Sequence, residues 1–335
     1  MTTVRTLNAP APTAGSPPPG ADLTVSGIGV VTPWGDEPKT GAAADRPVPD
    51  GWFDHRERLG RRGYKYLPTA TQYFLAATRQ ALADAGDLRT PGDEEQRGAA
   101  VGCNSAAVAL HDAMDRTVLT ESAAGLSPVT APYFSINLFG SRLATEHTLK
   151  AFNLTFTSPR VAGMEALEAG TRSVTAGRAS WLLAGATEEA LPEGQAGHES
   201  SERGAVALVL EPTEAVRARG GSGYGRCRAR TFFVPPAAAS SSGGAVRARA
   251  RIEATVTRLS PDGRPHHRTI VIVDDSPVGQ AVAGAFGNRA ERVAAGAGSL
   301  EPMLQTAAAL ADLSDPVVIV TAAREGNVGV AVLSR

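Results

Sequence analysis

The sequence predicts an α/β protein whose sheets are covered by helices and largely buried. Short runs of β-branched and small apolar residues recur along the chain, and helical periodicity fills the intervals between them. This alternation is typical of α/β folds, and continuous apolar strands are typical of sheets that are buried on both faces. A chain of 335 residues can bury a large core, in one domain or in two fused halves.

The first third of the chain holds the opening strand and the first long helix. Residues 1–21 are rich in Pro and small residues, which predicts a disordered arm. Order is expected to begin at Leu23–Gly35, where a strand runs into a Gly/Pro turn. Helical spacing over residues 69–85 predicts a helix that Gly86 ends, and residues 99–103 are typical of a short buried strand.

The remaining elements continue the alternation. A helix is expected through Val108, Leu110 and Met114, followed by a loop. Later helices are predicted at 140–150, 161–176 and 300–312, and strands at 154–157, 179–188, 204–210, 268–273, 316–321 and 328–333. The Pro-, Ala- and Ser-rich run 235–245 predicts a flexible linker between a first half, 22–234, and a shorter second half, 246–335.

Composition argues against several kinds of partner and cellular compartment. The formal net charge is −1, so no global basic field attracts nucleic acid. Arginine dominates the 33 basic residues, which include only Lys39, Lys65 and Lys150 as lysines. The cysteines Cys103 and Cys227 have no paired spacing, and no apolar run reaches the roughly 18–20 residues of a membrane span. No signal-peptide pattern is present. We therefore expect a cytoplasmic protein with no metal, no cofactor, no nucleic acid partner and no membrane contact.

The stretch Phe152–Leu167 carries the strongest chemical signal. It is typical of a strand, a tight Ser158–Pro159 turn and a helix. A sharp strand–turn–helix is where many α/β enzymes present a nucleophile at a helix N-terminus. The residue at this elbow is Arg160, and no Cys or Ser follows directly to act as the attacking group.

Five segments of the chain together resemble one family. They are Val25–Gly35, Asn153–Leu167, Leu183–Glu188, Arg203–Glu211 and Gly326–Leu333. They are similar to the opening strand, the nucleophile elbow, the next two strands and the closing strand of β-ketoacyl synthases, the condensing enzymes of fatty acid and polyketide synthesis. The resemblance runs from Leu23 to the end and is thin after residue 212. It implies a thiolase-like fold, in which two similar α/β halves stack as α-β-α-β-α layers.

The resemblance also implies catalytic positions, and this chain fills them with other residues. The family uses one Cys, two His and a supporting Lys. The Cys position falls on Arg160, the first His position on Asp275 or its neighbour Ser276, and the second His position near Arg292. No Lys lies in the second half. The segment 189–203 is also shorter than the corresponding segment of an active synthase. We therefore expect no intrinsic condensing activity.

An inactive member of this kind resembles the chain length factor, which pairs with an active ketosynthase in type II polyketide synthases. Arg160 departs from the Gln that the usual chain length factor has at the elbow. The resemblance implies a heterodimer with a ketosynthase (KS-alpha) subunit and contact with an acyl carrier protein. The implied dimer strand comprises Phe152, Leu154, Thr155, Phe156 and Thr157. The implied tunnel-gating residues are Val108, His111 and Asp115 on one helix and Thr130, Tyr133 and Phe134 on the opposing loop.

Two alternatives stay open at this point. The chain could be a stand-alone pseudo-synthase that holds a carrier protein or scaffolds a biosynthetic complex. It could also be a remodelled enzyme with new acyl-thioester chemistry that uses Asp275 and histidines. The state of Arg160 is open as well, because a buried guanidinium needs acceptors such as Asp274 or Asp275, whereas an opened loop would leave it in solvent.

Overall fold

The computed structural model describes residues 22–39, 47–86, 88, 92–106, 108–129, 131–260, 263 and 266–335. The predicted N-terminal arm, 1–21, and the predicted gating residue Thr130 lie outside the described residues. Ten strands form two five-stranded sheets within the described part. Of its described helices, none combines the length and the apolar character that crossing a membrane requires.

The first sheet is built from β1 to β5 in the order β1-β5-β4-β2-β3. The strands are β1 (Leu23–Val31), β2 (Arg97–Gly102), β3 (Phe152–Phe156), β4 (Trp181–Glu188) and β5 (Gly204–Pro212). β2 runs parallel to both β3 and β4, whereas β5 is antiparallel to both β1 and β4. β1, β2 and β4 are buried along their whole length, while β3 is half-exposed at the edge of the sheet.

Among the described residues, six α-helices accompany this sheet. They are α1 (His55–Arg58), α2 (Thr69–Asp84), α3 (Val108–Glu121), α4 (Leu138–His147), α5 (Ala162–Thr175) and α6 (Thr213–Ala218). α2 packs closely over β1 because Gly27 and Gly29 lack side chains there. A Cβ at Gly29 would lie 1.9 Å from the carbonyl oxygen of Ala77, a distance that real atoms do not reach. The Gly27-x-Gly29 pair therefore serves close helix–sheet packing in this chain.

The second sheet has the order β6-β10-β9-β7-β8. Its strands are β6 (Arg226–Phe233), β7 (Arg268–Val273), β8 (Glu291–Ala294), β9 (Val317–Ala322) and β10 (Asn327–Ser334). Its helices are α7 (Pro236–Ala239), α8 (Gly244–Leu259), α9 (Pro277–Phe286) and α10 (Leu300–Ala311). β7, β8 and β9 are parallel, so their carboxyl ends meet at one edge of the sheet.

The two sheets and their helices form five layers. α2 covers the outer face of the first sheet, α5 and α10 lie between the sheets, and α8 and α9 cover the outer face of the second. The central layer is tight, since a Cβ at Gly163 of α5 would lie 2.5 Å from Cγ of Met303 of α10. The predicted α/β class with α-β-α-β-α layers is confirmed.

The second sheet begins earlier in the chain than the sequence indicated. β6 pairs along its length with β10, so a boundary at residue 235 falls after the first strand of the second sheet. The run 235–245, expected as a flexible linker, contains α7 and the first two residues of α8. Pro236 stands at the start of α7, where a proline's missing N–H costs nothing. The strands β6 and β8 and the helices α1, α6, α8 and α9 were not anticipated from the sequence.

Candidate functional site

The elbow after β3 has a strained backbone at Arg160. Its φ angle is 61°, in the left-handed region that favours glycine. The turn is closed by the N–H of Val161, which donates to the carbonyl of Pro159 at 2.8 Å. α5 then starts at Ala162 directly beneath the end of β2, where a Cβ on Gly102 would lie 2.4 Å from the backbone of Ala162. The packing at both sides of the turn fixes the direction of the Arg160 side chain.

The Arg160 guanidinium binds three acceptors that come from the second half. Nη1 donates to Oδ2 of Asp274 at 2.9 Å and to the carbonyl oxygen of Ala322 at 2.6 Å, and Nη2 donates to the carbonyl oxygen of Gly296 at 3.2 Å. Asp274 follows β7, Gly296 follows β8 and Ala322 ends β9. Arg160 therefore holds the carboxyl ends of three parallel strands against the elbow of the first half. We call this group the arginine clamp.

Asp274 is held as a carboxylate within the arginine clamp. Burial would raise its pKa, but hydrogen bonds from Ser276 and Arg160 and the charge of Arg160 outweigh burial and lower the pKa below its usual range. The N–H of Ser276 donates to Oδ1 of Asp274 at 3.0 Å, and the Ser276 hydroxyl caps α9 by accepting from the N–H of Gly279. The carboxylate thus links the clamp to the start of α9.

The question that the sequence left open about Arg160 is answered by these contacts. Its side chain is 11% exposed and paired, and its partner is Asp274. Asp275 is exposed, and Arg292 is exposed on β8, so neither joins the clamp. Of the residues expected at catalytic positions, Arg160 lies inside the clamp, and Ser276, the alternative to Asp275, bonds to the clamp through Asp274.

A buried carboxylate ties the two halves together a second time. Glu188, the last residue of β4, is fully buried. Its Oε1 accepts from the N–H of Asn104 at 2.8 Å and from the N–H and hydroxyl of Ser299 at 2.7 and 2.6 Å. Its Oε2 accepts from the N–H and hydroxyl of Ser105, both at 2.7 Å. Five donors compensate the buried charge and join the loop before α3 to the loop before α10.

Glu202 lies beside Glu188 at the N-terminus of α10. Its two carboxyl oxygens accept from the N–H groups of Leu300 and Glu301 at 3.1 and 2.8 Å. Burial raises the pKa of Glu202 to about 8, and the negative charge of Glu188 acts in the same direction. Burial likewise raises the pKa of Glu301 to about 7. Both groups border a cavity of about 490 Å³ whose wall includes Gly296, the residue whose carbonyl Arg160 holds.

The residues expected to gate a tunnel lie at the surface of the first half. α3 has no buried residue along its described length. Val108 is half-buried, while His111 and Asp115 are exposed. Nε2 of His111 lies 2.8 Å from the carbonyl oxygen of Phe134, which brings α3 and the opposing loop together. Tyr133 is half-buried and lines a cavity of about 270 Å³ between α3 and the start of α2, whereas Phe134 is 64% exposed.

The residues expected to form a dimer strand lie at a sheet edge. Phe152, Leu154 and Phe156 are half-buried and pack against the core between the sheets. Thr155 is half-buried, and Thr157 is exposed just beyond the end of β3. β3 pairs with β2 on one side, and no described strand pairs with its other side.

Comparison with known proteins points to one family. The family model described as "Beta-ketoacyl synthase, N-terminal domain" matches residues 25–229. The chain is 25% identical over 146 residues to 3-oxoacyl-[acyl-carrier-protein] synthase 2 of Vibrio harveyi and 23% identical over 146 residues to that of Vibrio cholerae. These matches cover 43% of this chain and 35% of each relative, so the chain matches about a third of the length of these curated proteins.

Solved structures share the fold over nearly the whole chain. A type II PKS acyl-carrier protein in complex with its ketosynthase bound to the hexaketide gives a TM-score of 0.72 at 18% identity, covering 94% of this chain and 99% of that one. The ishigamide ketosynthase/chain length factor gives 0.70 at 21% identity, covering 93% and 99%. A β-ketoacyl synthase from Burkholderia phymatum gives 0.69 at 15% identity, covering 94% and 99%. At these identities the likeness shows the fold.

We predict that the Arg160→Ala variant loses about 2 kcal/mol or more of unfolding free energy, since it leaves Asp274 and two carbonyls without their donor. Urea unfolding of Arg160→Ala, Asp274→Asn and the double variant should give a coupling energy between about 0.5 and 3 kcal/mol. Arg160→Gly should be more stable than Arg160→Ala by about 1 kcal/mol, because glycine removes the strain of the positive φ. Arg292→Ala, at an exposed position, is the control. An equal loss of unfolding free energy in Arg160→Ala and Arg292→Ala would contradict the clamp.

We predict that Glu202 makes the protein less stable as the pH rises. Its pKa is raised from 4.5 to about 8 on folding, so between these values the folded state holds a proton that the unfolded state releases. Stability contributed by this proton is present below pH 4.5 and is lost as the pH approaches 8. Glu202→Gln, which keeps the shape of the neutral acid, should flatten the fall in melting temperature over this window. Exposed Glu199→Gln is the matched control, and unchanged pH dependence in Glu202→Gln would contradict the assignment.

Proposed function

The chain belongs to the β-ketoacyl synthase family, and from this premise we propose that it is a non-catalytic, chain-length-factor-like subunit of a type II polyketide synthase. The observation that carries the proposal is the arginine clamp. A guanidinium stays protonated at all accessible pH values and cannot act as the acyl-accepting nucleophile. The same group fills the space at the elbow and bonds to all three surrounding strand ends. Condensation is then the task of a partner.

The free edge of β3 supports a subunit role. In a parallel ladder, alternate residues direct both backbone groups to the same neighbour. The carbonyl of Phe156 accepts from the N–H of Cys103, so Phe156, Leu154 and Phe152 face β2. Asn153 and Thr155 therefore present their N–H and C=O groups at the open edge. An uncovered edge strand with apolar neighbours is a surface that proteins normally pair or protect.

The partner in this proposal is an active ketosynthase that pairs with β3 through its own corresponding strand. Two solved structures with this fold are described as a ketosynthase/chain length factor and as a carrier protein with its ketosynthase. These descriptions make a ketosynthase and an acyl carrier protein the partners to test. A symmetric homodimer through the same edge corresponds to the stand-alone alternative.

The tunnel is part of the same proposal. α3 carries Val108, His111 and Asp115 on a helix without buried residues, and the bond from His111 to Phe134 holds the facing loop beside it. A partner seated on the β3 edge would cover this surface and enclose a channel lined by α3. Bulk on α3 would then limit the length of the polyketide.

The remodelled-enzyme alternative gains no support from the neighbourhood of Asp275. The open depression there is lined by Asp274, Asp275, Ser276, Pro277, Arg324 and Glu325. None of the groups in this lining is a histidine that could act beside Asp275, and the Ser276 hydroxyl in it caps α9.

We predict that the chain forms a one-to-one heterodimer when co-expressed with a type II ketosynthase subunit, as measured by light scattering after size-exclusion chromatography. Thr155→Pro should abolish the heterodimer while the subunit stays folded, because the lost N–H points to the open edge and no bond to β2 is broken. Thr157→Ala, just beyond the strand, is the control. A homodimer that ignores the ketosynthase would contradict the proposal, as would a heterodimer that survives Thr155→Pro.

A further inference from the structure

The cavity that Glu202 and Glu301 border lies between the two halves of the chain, and we call it the junction cavity. Its volume is about 490 Å³, which is enough for a small organic molecule. The first half contributes Trp34, Val48 and the segment 198–203 to its wall, and the second half contributes Ala294, Gly296, Leu300 and Glu301. Neither the arginine clamp nor the proposed subunit role makes use of this space.

The wall of the junction cavity carries more acidic than basic groups. Glu199, Glu202 and Glu301 supply three carboxyl groups, and among the described residues of the wall only Arg203 has a permanent positive charge. Besides burial, the negative charges of Glu188 and Glu301 raise the pKa of Glu202. The charges closest to the Glu202 carboxyl therefore favour a cation in the cavity.

Glu301 brings an acceptor without a donor to this wall. The residue is only 3% exposed, and burial raises its pKa to about 7. Its Oε1 accepts from Nε2 of Gln305 at 2.7 Å, whereas its Oε2 accepts no hydrogen bond from any described residue. A buried carboxyl oxygen without a donor is costly. A donor that entered from the cavity would remove this cost.

The other groups of the wall argue against an anion or a metal ion as the ligand. The N-terminus of α10, where an anion could bind, is already occupied by Glu202, which accepts from the N–H groups of Leu300 and Glu301. Nδ1 of His198 lies 2.7 Å from the carbonyl oxygen of Leu191 and must donate to it, so Nε2 of the neutral ring is an acceptor. Among the described residues, no group of three or more His, Cys, Asp or Glu side chains could hold a metal ion.

We propose that the junction cavity binds a small primary amine in its ammonium form, with Oε2 of Glu301 accepting one of the ammonium N–H bonds. An ammonium group has three donors and no acceptor, which matches a wall rich in acceptors. Trp34 and Val48 offer contact to the alkyl part of the amine, and an indole ring can also attract a cation. When the ammonium ion binds, Glu301 releases its proton to solvent and the ion pair remains in the cavity. This binding site is independent of the proposed function.

The test is isothermal titration of the full chain with n-butylammonium chloride at pH 6 and pH 7. Affinity should be about 5-fold higher at pH 7, because a carboxyl with a pKa of about 7 is then about half ionised, against about one-tenth at pH 6. Glu202, with a pKa of about 8, stays mostly protonated at both values. Glu301→Gln should weaken binding at pH 7 by about 10-fold or more and remove the pH dependence. His198→Asn, which keeps a donor for the Leu191 carbonyl, should retain the pH dependence.

Two further variants locate the amine in the junction cavity. Ala294→Trp adds bulk at the wall while all charges stay in place, and it should weaken binding by about 10-fold or more even if Glu301→Gln disturbs the packing of α10. Glu193→Gln, exposed and outside the wall, is the matched control and should stay within about 2-fold of wild type.

The outcomes that overturn the inference are distinct from those that bear on the proposed function. Absence of measurable amine binding overturns it, as does amine affinity that both Glu301→Gln and Ala294→Trp leave unchanged. Equal or tighter binding of 1-butanol or butyrate, which have the same chain without the positive charge, also overturns it. Heterodimer formation is measured separately, and its loss contradicts the proposed function alone.

Discussion

The bonds from Arg160 to Asp274, Gly296 and Ala322 are the contact on which the relation between the two halves depends. They come from a residue at a strained elbow, with φ of 61°, and end on three different strand ends of the opposite half. Strain of this kind persists only where surrounding contacts over-determine the conformation. Here one ion pair and two hydrogen bonds to carbonyl oxygens offset the strain of the turn. The result is a closed elbow in place of an open pocket.

The buried glutamates complete this junction. Glu188 and Glu202 both accept hydrogen bonds from backbone N–H groups of residues 299–301. The first half therefore binds the second half at the start of α10 as well as at the strand ends. The contacts of Arg160 and those of the two glutamates meet at the loop that contains Gly296. The carbonyl of Gly296 accepts from Arg160, and its Cα lies against Glu202. Buried groups that are hydrogen-bonded in this way specify one arrangement of two packed layers.

The fold could be predicted from the sequence where the periodicity was clear, as for β7 and α10, whose observed bounds are within one residue of the prediction. β6 was missed because alternating arginines hide its apolar positions, and α9 because its small residues carry little periodic signal. The partners of Arg160 could be anticipated only in part. Asp274 and Asp275 are equivalent in sequence, but neighbouring residues at a strand end point in opposite directions, so only one of them can reach Arg160. The sequence does not tell which one. Carbonyl acceptors such as those of Gly296 and Ala322 leave no sequence signal, because every residue has one.

We propose that the elbow of this chain takes up no acyl group. Intact-mass spectrometry of the isolated protein after incubation with a malonyl- or acyl-thioester tests it most directly. We expect an unchanged mass, since the guanidinium of Arg160 is not an acyl-accepting nucleophile and is hydrogen-bonded to the second half. A mass increase equal to one acyl group, mapped by peptide analysis to a residue of the elbow or of the strand ends around it, would contradict the account.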